Sequence, residues 1–149
     1  MKLGRQAVLG AVLALMVISG CIRPAGEDGI SIMFDRRPLL FEETVYFNGI
    51  KVGKVGGVDV GAGGITRVNF IPADEFRSQL ADNLVFYVSN GRLMAAKIRN
   101  FGRPLKEGGV MCGFGSRSAL YWFRLKHALG DAARVAAARA ASLAEQFQG

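Results

Sequence analysis

The chain has 149 residues, half of them hydrophobic, and its 19 basic residues outnumber 12 acidic ones for a formal net charge of +7. This length leaves room for one domain of ordinary size. A single histidine, His127, leaves little material for His-based catalytic triads or histidine metal clusters, so we expect neither an enzyme nor a bound metal or cofactor.

The first twenty residues have the order of a secretory signal peptide. Lys2 and Arg5 precede an uncharged, largely apolar run at residues 7–20, which ends in small residues. A helix needs roughly 20 apolar residues to cross a bilayer, so this run is short for a permanent anchor. We predict a cleaved signal peptide at residues 1–20. The alternative is a short hydrophobic anchor that carries an incidental cysteine.

Residues 18–21, Ile-Ser-Gly-Cys, resemble a bacterial lipobox, in which the cysteine is lipid-modified and becomes the first mature residue. Lipidation of Cys21 would hold the protein on an envelope membrane, facing the periplasm, because several acyl chains together bind a bilayer stably. The modification leaves Cys112 without a disulfide partner in the chain. Cys112 is then a structural free thiol or, alternatively, a nucleophile. Export also argues against nucleic acid as a partner.

Positive charge is concentrated in the second half of the mature chain. Residues 21–82 contain nine acidic and seven basic residues, whereas residues 83–149 contain ten basic and three acidic ones. A basic half on an anchored protein is attracted to anionic lipid head groups, at roughly 1 kcal/mol per well-placed Lys or Arg, or to an acidic partner. An ordinary solvated surface has the same composition, so these alternatives stay open.

After a flexible tether at residues 21–29, the sequence predicts a compact antiparallel β-domain over residues 30–100. Apolar residues alternate with polar ones, as in half-buried strands, and Asn48 and Gly49 mark a tight turn. Val68 and Phe70 are expected to face the core. Residues 72–80 favour one or two helical turns. The predicted strands are residues 30–34, two strands within 45–55, then 65–71, 84–88 and 93–98.

The C-terminal third predicts a loop followed by a helix. Residues 101–117 are glycine-rich, which favours a loop, and residues 118–149 predict an amphipathic helix capped by Ser116 or Ser118. Gly130 weakens this helix by about 1 kcal/mol, which allows a bend. One side of the predicted helix carries a continuous apolar stripe, which packs either on the β-domain or on other copies of the chain. Its residues are Trp122, Leu125, Leu129, Ala132, Ala136, Ala140, Leu143 and Phe147.

One segment carries a resemblance to a known family. Residues 45–55, VYFNGIKVGKV, resemble the signature stretch of the mammalian cell entry (MCE) domain: an apolar strand, a glycine and an aliphatic residue, then Val, Gly, any residue and Val. Glycines at this spacing can adopt backbone angles or close approaches that are closed to larger residues. The resemblance extends over about residues 30–98. The matching positions are Gly49, Ile50, Val52, Gly53 and Val55.

The resemblance implies a fold and a function. MCE domains are small β-barrels that assemble into six-membered rings around an apolar channel, in phospholipid transporters of the Mla-like type. The family's pore-lining loop matches Gly91, Arg92, Leu93 and Met94 here, and Arg92 departs from the family's usual leucine. Leu93 and Met94 are therefore either pore-lining residues or core residues of the last strand. Most family members have an N-terminal transmembrane helix, for which this chain substitutes a lipid.

The expected fold class is thus mostly β, with a small antiparallel β-barrel followed by a C-terminal α-helix. The expected function is that of a lipid-anchored periplasmic component of an ABC-type lipid transport system. Its partners would be phospholipid or another hydrophobic substrate, permease and ATPase subunits in separate chains, and further copies in a homo- or hetero-oligomer. The alternative is a scaffolding envelope lipoprotein that docks partners through its C-terminal helix. Whether the anchor sits in the inner or the outer membrane stays open.

Overall fold

The computed structural model describes residues 29–106, 108–127 and 131–148. The predicted signal peptide at residues 1–20 and the lipidated Cys21 lie outside the described residues, as does the tether apart from Gly29. The strands are β1 (Ile30–Phe34), β2 (Thr44–Phe47), β3 (Ile50–Val60), β4 (Thr66–Pro72), β5 (Leu84–Ser89), β6 (Arg92–Lys97) and β7 (Val110–Phe114). The helices are α1 (Asp74–Arg77), α2 (Arg117–Lys126) and α3 (Ala132–Gln148).

The seven strands form a closed barrel in the order β1-β4-β3-β2-β6-β5-β7. The predicted fold class, a small β-barrel followed by a C-terminal helix, is confirmed. Four of the pairings are antiparallel: β1 with β4, β2 with β3, β3 with β4, and β5 with β6. The other three, β1 with β7, β2 with β6 and β5 with β7, are parallel. Closure through parallel pairs leaves few free edges to attract other chains.

The prediction of a continuous loop over residues 101–117 is wrong, because this range contains β7. Met111 pairs with Ile32 of β1, and Gly113 pairs with Phe86 of β5, so β7 is the strand that closes the barrel. Residues 111–114 are all buried. The glycines around β7 suggested a loop, but Gly113 lets the strand pass close to the ring of Phe34.

Two turns with the same dipeptide chemistry connect antiparallel strands. Asn48 and Gly49 join β2 to β3 with φ angles of 51° and 77°, and Asn90 and Gly91 join β5 to β6 with φ angles of 51° and 74°. Asn and Gly are the residues that tolerate left-handed backbone angles, which two-residue hairpins require. The turn predicted at Asn48 and Gly49 is confirmed.

The barrel interior is filled by side chains. Phe34, Phe70 and Phe86 have no exposed surface, and the rings of Phe70 and Phe86 lie 5.2 Å apart between centroids. Val68 is also fully buried, so the predicted core orientation of Val68 and Phe70 is confirmed. The barrel is therefore a packed core in itself.

The C-terminal helix prediction divides into two helices with different outcomes. In α3 the stripe is as predicted: Ala136 and Ala140 are buried, and α3 packs in cis on β7, β1 and β4. Arg139 of α3 also forms an ion pair with Asp35 at 3.2 Å. α2 ends at Lys126 and α3 begins at Ala132, and the bend allowed at Gly130, like Leu129 of the predicted stripe, lies outside the described residues.

In α2 the predicted stripe is wrong. Trp122 and Leu125 are exposed, whereas Leu120 and Phe123 are buried against the barrel. Two separate helices need not keep one phase, so a stripe extrapolated from α3 does not describe α2. The Ser116 hydroxyl caps α2 by accepting a hydrogen bond of 3.0 Å from the N–H of Ala119. Within the described ranges, no helix is long and apolar enough to cross a membrane.

Candidate functional site

The fold places the signature hairpin beside the segment that resembles the family's pore loop. β2 lies between β3 and β6, with Val45 opposite Leu93 and Tyr46 opposite Met94 in a parallel pairing. These residues are about 50 positions apart in the chain, and β5 and β6 return the second segment to the first. The candidate site is built around this junction.

The two signature glycines have different structural roles. Gly49 provides the positive φ angle of the β2–β3 turn. Gly53 sits against β4, where a Cβ would stand 2.6 Å from Cε2 of Phe70 and 2.9 Å from Cα of Pro72. Between the two glycines, Ile50 is exposed and Val52 is buried in the core. Val55, which follows Gly53, is half-buried.

Of the two candidate lining residues, Leu93 is a core residue. It is fully buried in the barrel interior, so for Leu93 the core alternative is the one that the structure shows. Met94 faces the other side of β6, is half-buried, and lies opposite Tyr46 and Tyr87 on the neighbouring strands. Neither side chain lines a channel within a single barrel.

Arg92, which departs from the family pattern, is neutralised locally. Its Nε donates a hydrogen bond to the Glu42 carboxylate, and its guanidinium lies over the ring of Tyr46. The Tyr46 hydroxyl donates to the same carboxylate at 2.9 Å. This bond lowers the pKa of Glu42, and Arg92 lowers it further. The same bond raises the pKa of Tyr46, although the charge of Arg92 acts against that shift. Glu42 therefore stays charged and compensates Arg92, so the arginine adds no unpaired charge to the junction.

The segment before β2 forms an exposed apolar surface at this junction. The Phe41 N–H donates a hydrogen bond of 2.8 Å to the carbonyl of Gly91, and the ring of Phe41 covers the space above Gly91. Even so, Phe41 remains 74% exposed and Leu39 remains 68% exposed. A shallow groove of about 420 Å³ runs between residues 40–43 and residues 55–58. We call it the Phe41 groove.

One wall of the Phe41 groove is the extension of β3. Pairing of β3 with β2 ends at Thr44 and Lys54, and a bulge between Val55 and Gly57 follows. Beyond the bulge, within the described chain, β3 pairs with β4 alone. Val58 and Val60 on this extension are partly exposed. A strand edge with partly exposed valines, next to a groove lined by both apolar residues and two glutamates, is suited to contact with another surface.

The sequence contains a pattern that indicates this surface. Leu39, Leu40 and Phe41 form a large apolar run just after Pro38, between the charged pairs at residues 36–37 and 42–43. They belong to no strand, because charges interrupt the alternation on both sides. Apolar residues outside any regular element, flanked by charge, are candidates for contact with a partner.

Cys112 lies away from this junction, inside the fold. It is buried on β7, and burial raises the pKa of its thiol to about 11. A thiol with that pKa is protonated at neutral pH, which disfavours a nucleophilic role. No group of metal-binding side chains occurs among the described residues.

A second cavity, of about 790 Å³, lies on another side of the molecule. It is lined by residues 97–103 with Arg124, His127 and Ala132, and we call it the basic cavity. Asp82 supports its rim by accepting hydrogen bonds of 2.8 Å from the Arg99 guanidinium and from the N–H of Arg103. Partial burial opposes ionisation of Asp82, but these bonds and charges outweigh it and lower its pKa.

No protein-family model matches this chain, and no curated protein matches it in sequence. The functional assignment therefore rests on the residues and on the geometry that they adopt.

Proposed function

We propose that this protein is a lipid-anchored component of an ABC-type lipid transport system of the MCE kind, acting on the periplasmic side of the cell envelope. It binds phospholipid or another hydrophobic substrate as part of an oligomer. The observation that carries the proposal is the set of exposed apolar side chains at the Phe41 groove, Leu39, Phe41 and Val58, beside the hairpin that resembles the family signature.

The packed interior supports a substrate site on the outside of the barrel. Phe34, Phe70 and Phe86 leave no room for an acyl chain inside the barrel. Each buried CH₂ contributes roughly 0.8 kcal/mol, so a lipid carrier needs a continuous apolar surface elsewhere. Leu39, Phe41 and Val58 supply such a surface on the outside. Lipid is then held in the groove and between neighbouring copies.

The same surface suits assembly. The β3 extension is one wall of the groove, so the two form one patch, and a head-to-tail contact pairs this patch with a different surface of the next copy. A head-to-tail contact that closes produces a ring, and the family resemblance favours six members. Permease and ATPase subunits in separate chains complete the system, and the lipid on Cys21 holds the ring at a membrane.

The test is to purify the acylated mature protein under native conditions and to measure its mass and its co-extracted lipid. We expect an oligomer with bound lipid. Replacing Phe41→Ser together with Val58→Ser should lower both the oligomer fraction and the bound lipid. Phe101→Ser, which changes a still more exposed phenylalanine in the lining of the basic cavity, is the control and should change neither. A monomer free of lipid, or equal effects of groove and control variants, would overturn the proposal.

A scaffolding function is the second candidate, favoured by the exposed aromatic side of α2. A scaffold recruits its partner through that helix while no lipid moves. Deleting residues 118–149 is a poor test, because α3 covers β7 and its loss would expose the core. Trp122→Ser avoids this problem, since the side chain is exposed. Loss of a co-purifying protein with unchanged lipid content would favour the scaffold.

A further inference from the structure

Helix α2 has two sides of opposite character. Leu120 and Phe123 are buried against the barrel, at 4% and 8% exposure. Tyr121, Trp122 and Leu125 project from the other side and are 60%, 68% and 57% exposed. We call these three residues the outer face of α2. Three large apolar side chains within two turns of one helix form a contiguous exposed patch, and such a patch indicates a surface that binds another molecule or a membrane.

Cations flank the outer face on both sides. At about 100° per residue, Arg117 and Arg124 fall on one flank and Lys126 on the other. The helix has no acidic residue. Within the described part of the chain, neither Arg117 nor Lys126 forms an ion pair. Their charges are available to an anionic surface.

The neighbouring loop extends the positive field. Arg124 lines the basic cavity, where it lies near Arg99 and Arg103. Over residues 97–126 the sequence contains seven basic residues and one acidic residue. This concentration accounts for most of the positive excess of the second half of the chain. The whole side of the molecule around α2 is therefore complementary to negative charge.

This combination distinguishes between possible occupants. Trp and Tyr prefer the head-group level of a bilayer, and flanking Lys and Arg reach its phosphates. A second copy of the chain is disfavoured, because two cationic rims would face each other across the contact. Charge complementarity thus selects an anionic lipid surface.

We infer that the outer face of α2 docks on an anionic phospholipid bilayer, with Trp122 and Leu125 at the head-group level and Arg117, Arg124 and Lys126 on the phosphates. The docking goes beyond the proposed transport function and requires neither a ring nor passage of lipid. It orients the barrel on the membrane, which a single point of lipid attachment alone does not do.

Trp122 is the only tryptophan in the chain, so its fluorescence reports on this face directly. The full acylated protein is bound to vesicles of neutral phosphatidylcholine, or of phosphatidylcholine mixed with phosphatidylglycerol, with and without brominated lipid. We expect a blue shift and bromine quenching of Trp122 in the anionic vesicles only. High salt should reverse both signals, because it screens exposed charges.

Charge-matched variants separate docking from general attraction. Each cation contributes about fivefold to membrane affinity, so Arg117→Gln with Lys126→Gln should lower the ratio of docked to undocked protein about 25-fold. Lys51→Gln with Lys54→Gln removes the same charge from exposed positions on β3 and should leave the ratio nearly unchanged.

Three results would overturn the inference. They are an unquenched Trp122 in anionic vesicles, equal losses in the two double variants, and protection of Trp122 by an envelope protein without any lipid. The groove variants Phe41→Ser and Val58→Ser should leave Trp122 quenching intact. Failure of docking is thereby distinguishable from failure of lipid binding at the groove.

Discussion

Gly113 of β7 lies against the aromatic ring of Phe34 of β1, where a Cβ at position 113 would stand 2.5 Å from Cζ of the ring. Phe34 is fully buried, so the ring has no space into which to move. The strand pair that closes the barrel depends on this contact, because Met33 and Cys112 next to it define the β1–β7 register.

Gly113→Ala should therefore destabilise the barrel. Overpacking of a well-filled core typically costs about 1–3 kcal/mol, and we expect a loss of this size in the free energy of unfolding, measured with urea. Gly115→Ala is the matched control, since a Cβ there meets nothing within 4 Å. Equal stabilities of the two variants would show that β7 does not pack on Phe34 in this way.

We expect the same kind of destabilisation from a substitution at Gly53 in the signature hairpin. A Cβ at this position would collide with the backbone of Ile71 and Pro72, which cannot rotate away. Gly53→Ala should lower the free energy of unfolding by about 1–3 kcal/mol. Gly57→Ala, in the same strand but with nothing within 4 Å of its Cβ, should have a much smaller effect. Thermal or urea unfolding of the two proteins side by side checks this difference.

The ionisation of Asp82 should make the free energy of unfolding depend on pH. Its pKa is lower in the folded chain than the ordinary value of 3.8, so folding favours the ionised form. The stabilisation is present above the unfolded pKa and is lost as the pH falls through the folded pKa. Asp82→Asn should cost about 1 kcal/mol at neutral pH, because it weakens the bonds to Arg99 and Arg103, and should cost little near pH ~2.

The control for Asp82 is Asp74→Asn. Asp74 forms only an exposed ion pair with Arg77, at 3.3 Å, and such pairs contribute little. Urea unfolding across the acidic range should show a pH-dependent difference from the parent protein for Asp82→Asn and a flat, small one for Asp74→Asn. A difference for Asp82→Asn that does not change with pH would contradict the assigned ionisation.

Cys112 should be chemically inert while the protein is folded. With a pKa of about 11, only about one thiol in a thousand is ionised at pH ~8, and burial also blocks access. In a Cys21→Ser background, iodoacetamide should label Cys112 slowly in buffer and rapidly in urea, as followed by mass spectrometry. Rapid labelling of the folded protein would reopen the nucleophile hypothesis.

Local chemistry made the hairpins predictable. Asn48 with Gly49, and the alternation around Val68 and Phe70, act through backbone angles and strand period, which are properties of a few adjacent residues. Each of these features appears in the structure where the sequence predicts it, because no distant partner is needed to produce it.

Features that depend on distant partners were not predictable in this way. β7 resembles a loop in the sequence, and only its pairing with β1 and β5 makes it a strand. The periodicity of one long helix predicted that Trp122 faces the protein. In the structure, α2 instead buries Leu120 and Phe123 against the barrel and leaves Trp122 exposed. The Phe41 groove depends on the hydrogen bond from Phe41 to Gly91, fifty residues later.

The sequence alone determined the glycine turns, the amphipathic face of α3, the basic C-terminal half and the expectation of a lipid anchor at Cys21. These are consequences of composition, period and short motifs. Tertiary structure alone decided that β7 closes the barrel, that Leu93 lies in the core and that the outer face of α2 is left exposed. The physical reason is that burial is a property of the whole packed chain. Whether a side chain is removed from water depends on which residues, distant in the sequence, pack against it in the fold.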